Sequence, residues 1–117
     1  MDYKFINMEY LDSVSGGDKG IINEIVSIFR EQSAEMSREM KSLLAAKDYT
    51  SLGLLAHKAK SSVAIMGMKS LADMLKTFEI QAKVGDEIHL YESYIERFKY
   101  ETQEAVKEID DLIKNRQ

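Results

Sequence analysis

The stretch from residue 18 to residue 47 places apolar side chains at helical spacing along its whole length and contains no proline. The apolar positions, three, four or seven residues apart, are Ile22, Ile25, Phe29, Met36, Met40 and Leu43. Gln32 is the one polar residue in this stripe. Asp18 is a good N-cap, since its carboxylate can accept hydrogen bonds from free first-turn amides. The pattern predicts one helix of about 25–28 residues that ends near Ala46 and Lys47.

Four further segments have helical spacing, and the chain contains no proline and no convincing period-two strand. We expect these helices at residues 8–14, 48–66 and 68–84, and from residue 86 to the end. Asn7 caps the first of them, which ends at the Ser15-Gly16-Gly17 stretch. Gly67 separates the third helix from the fourth, and Gly85 stops the fourth, as glycine often does after a helix C-terminus.

The expected fold class is all-α. Four substantial helices joined by short connections pack best as antiparallel neighbours, which gives an up-down four-helix bundle. The short additional N-terminal helix is expected to lie against this bundle. With 117 residues and no repeat, linker or low-complexity segment, the chain fits a single helical-bundle domain over residues 1–117.

Charge and composition exclude several classes of function. The net charge of −4 argues against binding to nucleic acids or to anionic membranes. The absence of cysteine rules out disulfides, zinc–thiolate sites and cysteine nucleophiles. Neither histidine stands three residues after a glutamate, as a di-iron bundle needs, and we expect no metal. Residues 1–4 lack the features of a signal peptide and no apolar run spans a bilayer, so a cytoplasmic protein is expected.

The third helical segment carries the residues with chemical potential. On a helical wheel of about 100° per residue, its core face holds Leu52, Leu55, Ala59, Val63 and Met66. His57 lies opposite this face, so its imidazole is expected to point outward.

Small side chains neighbour His57 on the helix surface, because residues three and four apart lie side by side. These small residues are Gly53, Ser61 and Ala64. We call this strip of small residues around the imidazole the lane, and Leu54 and Ile65 flank it. Lys60 follows the histidine by three positions. Such a lane lets the active site of another protein approach the imidazole, while the two flanking residues offer an apolar docking surface.

An outward histidine in this setting suits phosphoryl transfer. A neutral imidazole is a good nucleophile toward phosphorus, and histidine is partly neutral near pH 7. Lys60 can offset the negative charge that gathers on the phosphoryl oxygens. Two plainer interpretations stay open, because an exposed helical histidine is usually only a surface residue, and small residues also let helices pack closely.

A longer pattern begins with the stretch Ala56-His57-Lys58-Ala59-Lys60-Ser61-Ser62. It continues with Gly67 ten residues after the histidine, the Leu71-Ala72 pair, and the Phe78-Glu79 pair near position twenty-two. This pattern resembles the histidine-containing phosphotransfer (HPt) domain. Ser61 departs from it, because glycine is common there in the family, although serine is still small. We expect Glu79 to have a structural or surface-facing role.

The resemblance implies a four-helix bundle that acts in a two-component phosphorelay. His57 would carry the phosphoryl group and exchange it with an aspartate on receiver domains of response regulators, with Lys60 stabilising its charge. A hybrid sensor histidine kinase is a further candidate partner. No ATP-dependent kinase activity and no cofactor are expected of this chain, since any magnesium would belong to the receiver domain. We expect a monomer, because the acceptor face gains nothing obvious from being buried.

The charges near the lane also favour a receiver as the partner. Lys58, Lys60 and Lys69 form a basic patch that would complement the acidic active site of a receiver domain. The main alternative is a helical adaptor that binds a partner through the same face without phosphoryl chemistry. A kinase dimerisation helix is disfavoured, since Lys58 and Ser62 replace the acid and the proline usual in such helices. His89 is expected to be a capping or surface residue.

Overall fold

Five α-helices and one short 3-10 helix make up the computed structural model, which describes residues 4–115, with only the backbone described at positions 8, 14, 19, 113 and 115. The helices are α1 (Met8–Ser15), α2 (Lys19–Ala45), α3 (Tyr49–Ile65), α4 (Lys69–Val84) and α5 (Tyr91–Asn115), and the 3-10 helix is Ile88–Leu90. No strand occurs over residues 4–115, so the all-α prediction is confirmed. The last two positions of the expected fifth helix, 116 and 117, lie outside the described residues.

Polar caps and glycines fix the ends of the helices where the sequence indicates them. Asn7, Asp18 and Asp48 precede α1, α2 and α3, and each side chain accepts a hydrogen bond from a first-turn amide. Gly16 and Gly85 follow α1 and α4 in the left-handed conformation, at φ values of 63° and 69°. That conformation ends a helix at little cost only when the residue lacks a Cβ atom.

The four long helices form a ring in which α2 contacts α3, α3 contacts α4, α4 contacts α5, and α5 returns to α2. The connections at residues 46–48 and 66–68 are so short that the helices they join run antiparallel. With 27 residues, α2 is about 40 Å long, close to the longest dimension of the molecule, 46 Å. Because α1 packs on α2, the predicted four-helix bundle with an additional N-terminal helix is confirmed.

One apolar core runs through the bundle. Outside α3, the buried core residues of the long helices include Ile22, Phe29, Met36, Met40, Leu71, Met74, Leu75, Phe78, Ala82, Tyr91, Ile95, Phe98, Ala105, Ile109 and Leu112. The side chains of Ile25 and Leu43 are half-buried against them. Ile88, in the stretch expected to begin the fifth helix, is 41% exposed and does not belong to this core. Glu87 takes a left-handed conformation at φ 56°, which delays the start of α5 beyond the predicted residue 86.

The segment before α1 is tied both to α5 and to the turn between α3 and α4. The amide of Phe5 donates a hydrogen bond to Glu108 at 2.9 Å, and the amide of Asn7 donates one to the carbonyl of Met66 at 3.4 Å. Gly67 has a φ of 73°, and a Cβ atom there would lie 2.6 Å from the Cβ of Asn7. Glycine is therefore required at this turn by the segment packed over it as well as by the backbone conformation.

Candidate functional site

His57 lies in the middle of α3 and points away from the bundle interior. Its side chain is 57% exposed, whereas the predicted core face of the same helix is buried. That face consists of Leu52, Leu55, Ala59, Val63 and Met66. The predicted outward orientation of His57 is confirmed, and Ala56 beside it adds to the buried face.

A carboxylate from α4 holds the imidazole. The Nδ1 atom of His57 lies 3.0 Å and 3.1 Å from the two carboxylate oxygens of Glu79. Although it is an acid, Glu79 is only 8% exposed. We expected a structural or surface-facing role for Glu79, and its contact with the imidazole was not predicted. That contact depends on how closely α4 lies against α3.

Gly53 explains this close approach. It is buried, and a Cβ atom there would lie 3.3 Å from the backbone oxygen of Glu79 and 3.2 Å from Cγ of Lys83. The prediction that Gly53 lines a lane open to a partner is wrong, because α4 covers it. A side chain at this position would hold the two helices apart, and interiors packed this closely leave no room for one.

Two ammonium groups share the carboxylate with the imidazole. The Nζ atom of Lys83 lies 2.7 Å from one oxygen of Glu79, and that of Lys60 lies 3.7 Å from the other. The hydrogen bond from Lys83 and the interaction with His57 lower the pKa of Glu79 from 4.5 to about 2, although burial opposes the change. Glu79 is therefore ionised at neutral pH.

The charge on Glu79 fixes the tautomer of His57. An ionised carboxylate can only accept hydrogen bonds, so the nitrogen that faces it, Nδ1, carries the proton. In a neutral imidazole the lone pair then lies on the other nitrogen, Nε2. The arrangement thus presents a nucleophilic nitrogen on an exposed side chain that a rigid helix and a buried acid hold in place.

Lys83 belongs to this cluster, although it was not among the predicted site residues. A signal was present, because Glu79 and Lys83 stand four residues apart on one helix, the spacing of a favourable ion pair. Nothing in that spacing indicates that the pair faces His57. The packing of α3 on α4 alone brings the three side chains together.

The other predicted site residues surround His57 on the open face. Leu54 is 61% and Ile65 is 47% exposed, and Lys58, Ser61 and Ala64 are exposed as well. A groove of about 300 Å³ between α2 and α3 continues this face. Its lining includes Ile28, Phe29, Lys58, Ser61 and Ile65. Apart from Gly53, the residues predicted to line and flank the lane are therefore exposed around His57, and those at its edges are apolar.

The remaining candidates do not form a second site. Lys69 of the predicted basic patch is exposed. The side chain of His89 is 74% exposed, with Nε2 3.3 Å from Glu87, so the predicted surface position is confirmed. Among the side chains that the structure describes, no group of three or more histidines and acids is placed to hold a metal ion.

The fold is an all-helical bundle, and its α3 presents the exposed imidazole of His57 with a buried carboxylate behind it and two ammonium groups beside that carboxylate. The family model of the Hpt domain matches residues 24–112, and the chain belongs to this family. Hpt domains transfer phosphoryl groups through a histidine in phosphorelays and act as phosphocarriers, so the predicted function is confirmed at this level. Hpt domains generally exchange these groups with receiver domains.

Comparison with curated proteins and with solved structures gives no match. Within residues 4–115, none of the helices combines the length and the apolar character needed to cross a membrane.

Proposed function

We propose that His57 is the phosphoryl acceptor of this Hpt domain and that its partner is the aspartate of a receiver domain. The 3.0 Å contact between Nδ1 of His57 and Glu79 carries the proposal, because it directs the lone pair of an exposed imidazole to Nε2. His89 also contacts an acid, but the side chain of Glu87 is itself 43% exposed. Solvent screens such a contact, so His89 is poorly held for nucleophilic attack.

The chemistry that this geometry supports is an in-line exchange between nitrogen and oxygen. Nε2 of His57 forms a bond to phosphorus while the bond from phosphorus to the partner's aspartate oxygen breaks, and the aspartate leaves as a carboxylate with the electron pair. Since Nδ1 keeps its proton, the imidazole becomes positively charged during the attack. The ionised Glu79 offsets that charge at a distance of 3.0 Å. The same charges serve the reverse reaction.

Lys60 and Lys83 supply positive charge for the phosphoryl oxygens. Each ammonium group lies on a different oxygen of Glu79, and the two side chains are 29% and 49% exposed. A lysine carries its charge on a flexible four-carbon stem, so in this proposal both ammonium groups turn toward a phosphoryl group bound at Nε2. We therefore extend the proposed charge stabilisation from Lys60 alone to this pair.

The exposed face around His57 is the proposed docking surface for the receiver domain. Leu54 and Ile65 provide apolar contacts, Ser61 and Ala64 leave room beside the imidazole, and Lys58 attracts the acidic active site. A receiver domain belongs either to a response regulator or to a hybrid sensor histidine kinase, and this surface suits both. In this proposal, residues 1–117 act as one domain, a cytoplasmic monomer whose acceptor face stays open.

Phosphotransfer from labelled receiver domains tests the proposal. Native protein, a His57→Gln variant and a matched His89→Gln variant are each incubated with a panel of phosphorylated receivers, beside a control with ATP alone. We expect label on the native protein and on His89→Gln, lost in acid but stable in alkali, and none on His57→Gln or with ATP alone. Label on His57→Gln would contradict the assignment. Absence of label from every receiver would favour the adaptor that binds the same partner without phosphoryl chemistry.

A further inference from the structure

A groove between α2 and α5 concentrates positive charge in a chain that is acidic overall. Its volume is about 560 Å³. The charged residues that line it are Arg30, Arg38, Lys41, Lys99 and Lys107. They are five of the 16 lysines and arginines in a chain of net charge −4, and no carboxylate is among the described residues that line the groove. We call this feature the basic groove.

Acids on the rim neutralise the basic groove only in part. The ion pairs are Arg30 with Asp110, Lys41 with Glu96 at 3.3 Å, and Lys107 with Glu104 at 2.8 Å. Exposed pairs of this kind contribute little to stability, so an incoming acid can replace the rim acid at small cost. Arg38 and Lys99 form no ion pair with any described acid.

The floor of the basic groove is formed by small residues on the two helices. Ser33, Ala34 and Ser37 line it from α2, and Thr102 lines it from α5. Their hydroxyl groups are already used, since Ser37 donates to a carbonyl of its own helix at 3.1 Å and Thr102 does so at 2.7 Å. The charges therefore lie along the walls, above a floor with few free hydrogen-bonding groups.

The distribution of charge favours a linear anion over a compact one. On α2 the cations extend from Arg30 to Lys41, eleven residues or about 16 Å along the helix axis. Compact phosphate sites use converging donors and free amides at a helix N-terminus. Here the amides of the lining residues lie inside helices, where they donate hydrogen bonds to carbonyls of the preceding turn.

The basic groove is separate from the acceptor face. The residues of α2 that face α3, such as Ile25, Phe29 and Met36, lie roughly 150° around the helix axis from those that line the basic groove. A ligand in the basic groove therefore leaves His57 accessible to a receiver domain.

We propose that the basic groove binds an acidic peptide segment of a partner protein, rich in aspartate and glutamate. Its length of about 16 Å matches roughly five extended residues or eleven helical ones. Carboxylates of such a segment would pair with Arg38 and Lys99 first and compete with the rim acids for the other cations. A second contact of this kind raises the effective concentration of the partner at the acceptor face.

Fluorescence anisotropy with a labelled peptide of alternating glutamate and alanine tests the proposal. The control peptide has glutamine in place of glutamate. The groove variant carries Arg38→Glu and Lys99→Glu, and a matched surface variant carries Lys76→Glu and Lys114→Glu, which make the same change in net charge elsewhere. Circular dichroism checks that both variants are folded. A uridine oligonucleotide and vesicles containing phosphatidylserine serve as competing anionic probes.

We expect the glutamate peptide to bind with an affinity that falls as salt rises, and the glutamine peptide not to bind. The groove variant should weaken binding by about tenfold, while the matched surface variant leaves it unchanged. Three results would overturn the proposal: no binding at millimolar peptide, equal losses in both variants, or tighter binding of the oligonucleotide or the vesicles. Phosphotransfer to His57 from an isolated receiver domain that lacks such an acidic segment should stay at the native rate in the groove variant, so failure here is distinguishable from failure of the proposed acceptor.

Discussion

Replacing Glu79 with glutamine separates the two effects of this residue on His57. The amide oxygen of glutamine can still accept the hydrogen bond from Nδ1, which keeps the tautomer, but the negative charge is lost. A hydrogen bond to a charged group is worth about 1.5–3 kcal/mol. Since the imidazole is 57% exposed and solvent screens it, the lower limit applies. We therefore expect phosphotransfer to slow by about tenfold, which corresponds to about 1.4 kcal/mol.

The assay measures the second-order rate constant of phosphoryl transfer from a phosphorylated receiver domain to the native protein, to Glu79→Gln and to Glu79→Ala. The alanine variant loses both the charge and the acceptor and should be slower still. Nitrogen NMR of His57 should show the proton on Nδ1 in the native and glutamine proteins and a mixture of tautomers in the alanine variant. Glu35→Gln, an exposed change of the same charge, is the control. A folded Glu79→Gln variant that transfers at the native rate would refute the assigned role of the charge.

Two further predictions concern the same region. Ala64→Phe should slow phosphotransfer at native stability, because Ala64 is exposed beside the imidazole. Gly53→Leu should instead lower the free energy of unfolding by about 2 kcal/mol, since α4 leaves no room there. Urea unfolding measures both stabilities, and a destabilised Ala64→Phe beside a Gly53→Leu of native stability would disprove the packing described. Because its folded pKa of about 2 is below 4.5, Glu79 stabilises the fold above pH 4.5 and loses this effect as the pH falls toward 2. Native protein should therefore lose on the order of 1 kcal/mol more than Glu79→Gln over that interval, and parallel stability curves would contradict it.

Helix positions, caps and most of the core were predictable because they depend on local pattern. Asn7, Asp18 and Asp48 cap helices through amides within the next three residues, so the adjacent sequence contains the whole interaction. The outward orientation of His57 follows equally from the period of one helix. The start of α5 shows the limit of this approach, because a left-handed residue at position 87 delays the helix from the expected residue 86 to Tyr91, and the spacing of apolar residues does not indicate this.

Features that join two helices were not predictable in the same way. The contact between Glu79 and His57, the burial of Gly53 and the basic groove all depend on which faces meet across the bundle. One sequence contains the spacing within each helix but not the rotation of one helix against another.

The sequence by itself therefore determined an all-helical bundle with one outward histidine in a pattern typical of phosphotransfer domains, since each of these features follows from the order of residues along a helix. Only the tertiary structure decided how that histidine is held. Because Gly53 has no side chain, α4 can approach α3 closely. That approach buries Glu79 against Nδ1 of His57 and brings Lys83 beside Glu79. The physical reason is that helices pack as closely as their side chains allow, so a glycine on one helix sets which charged groups of the next helix come within contact distance.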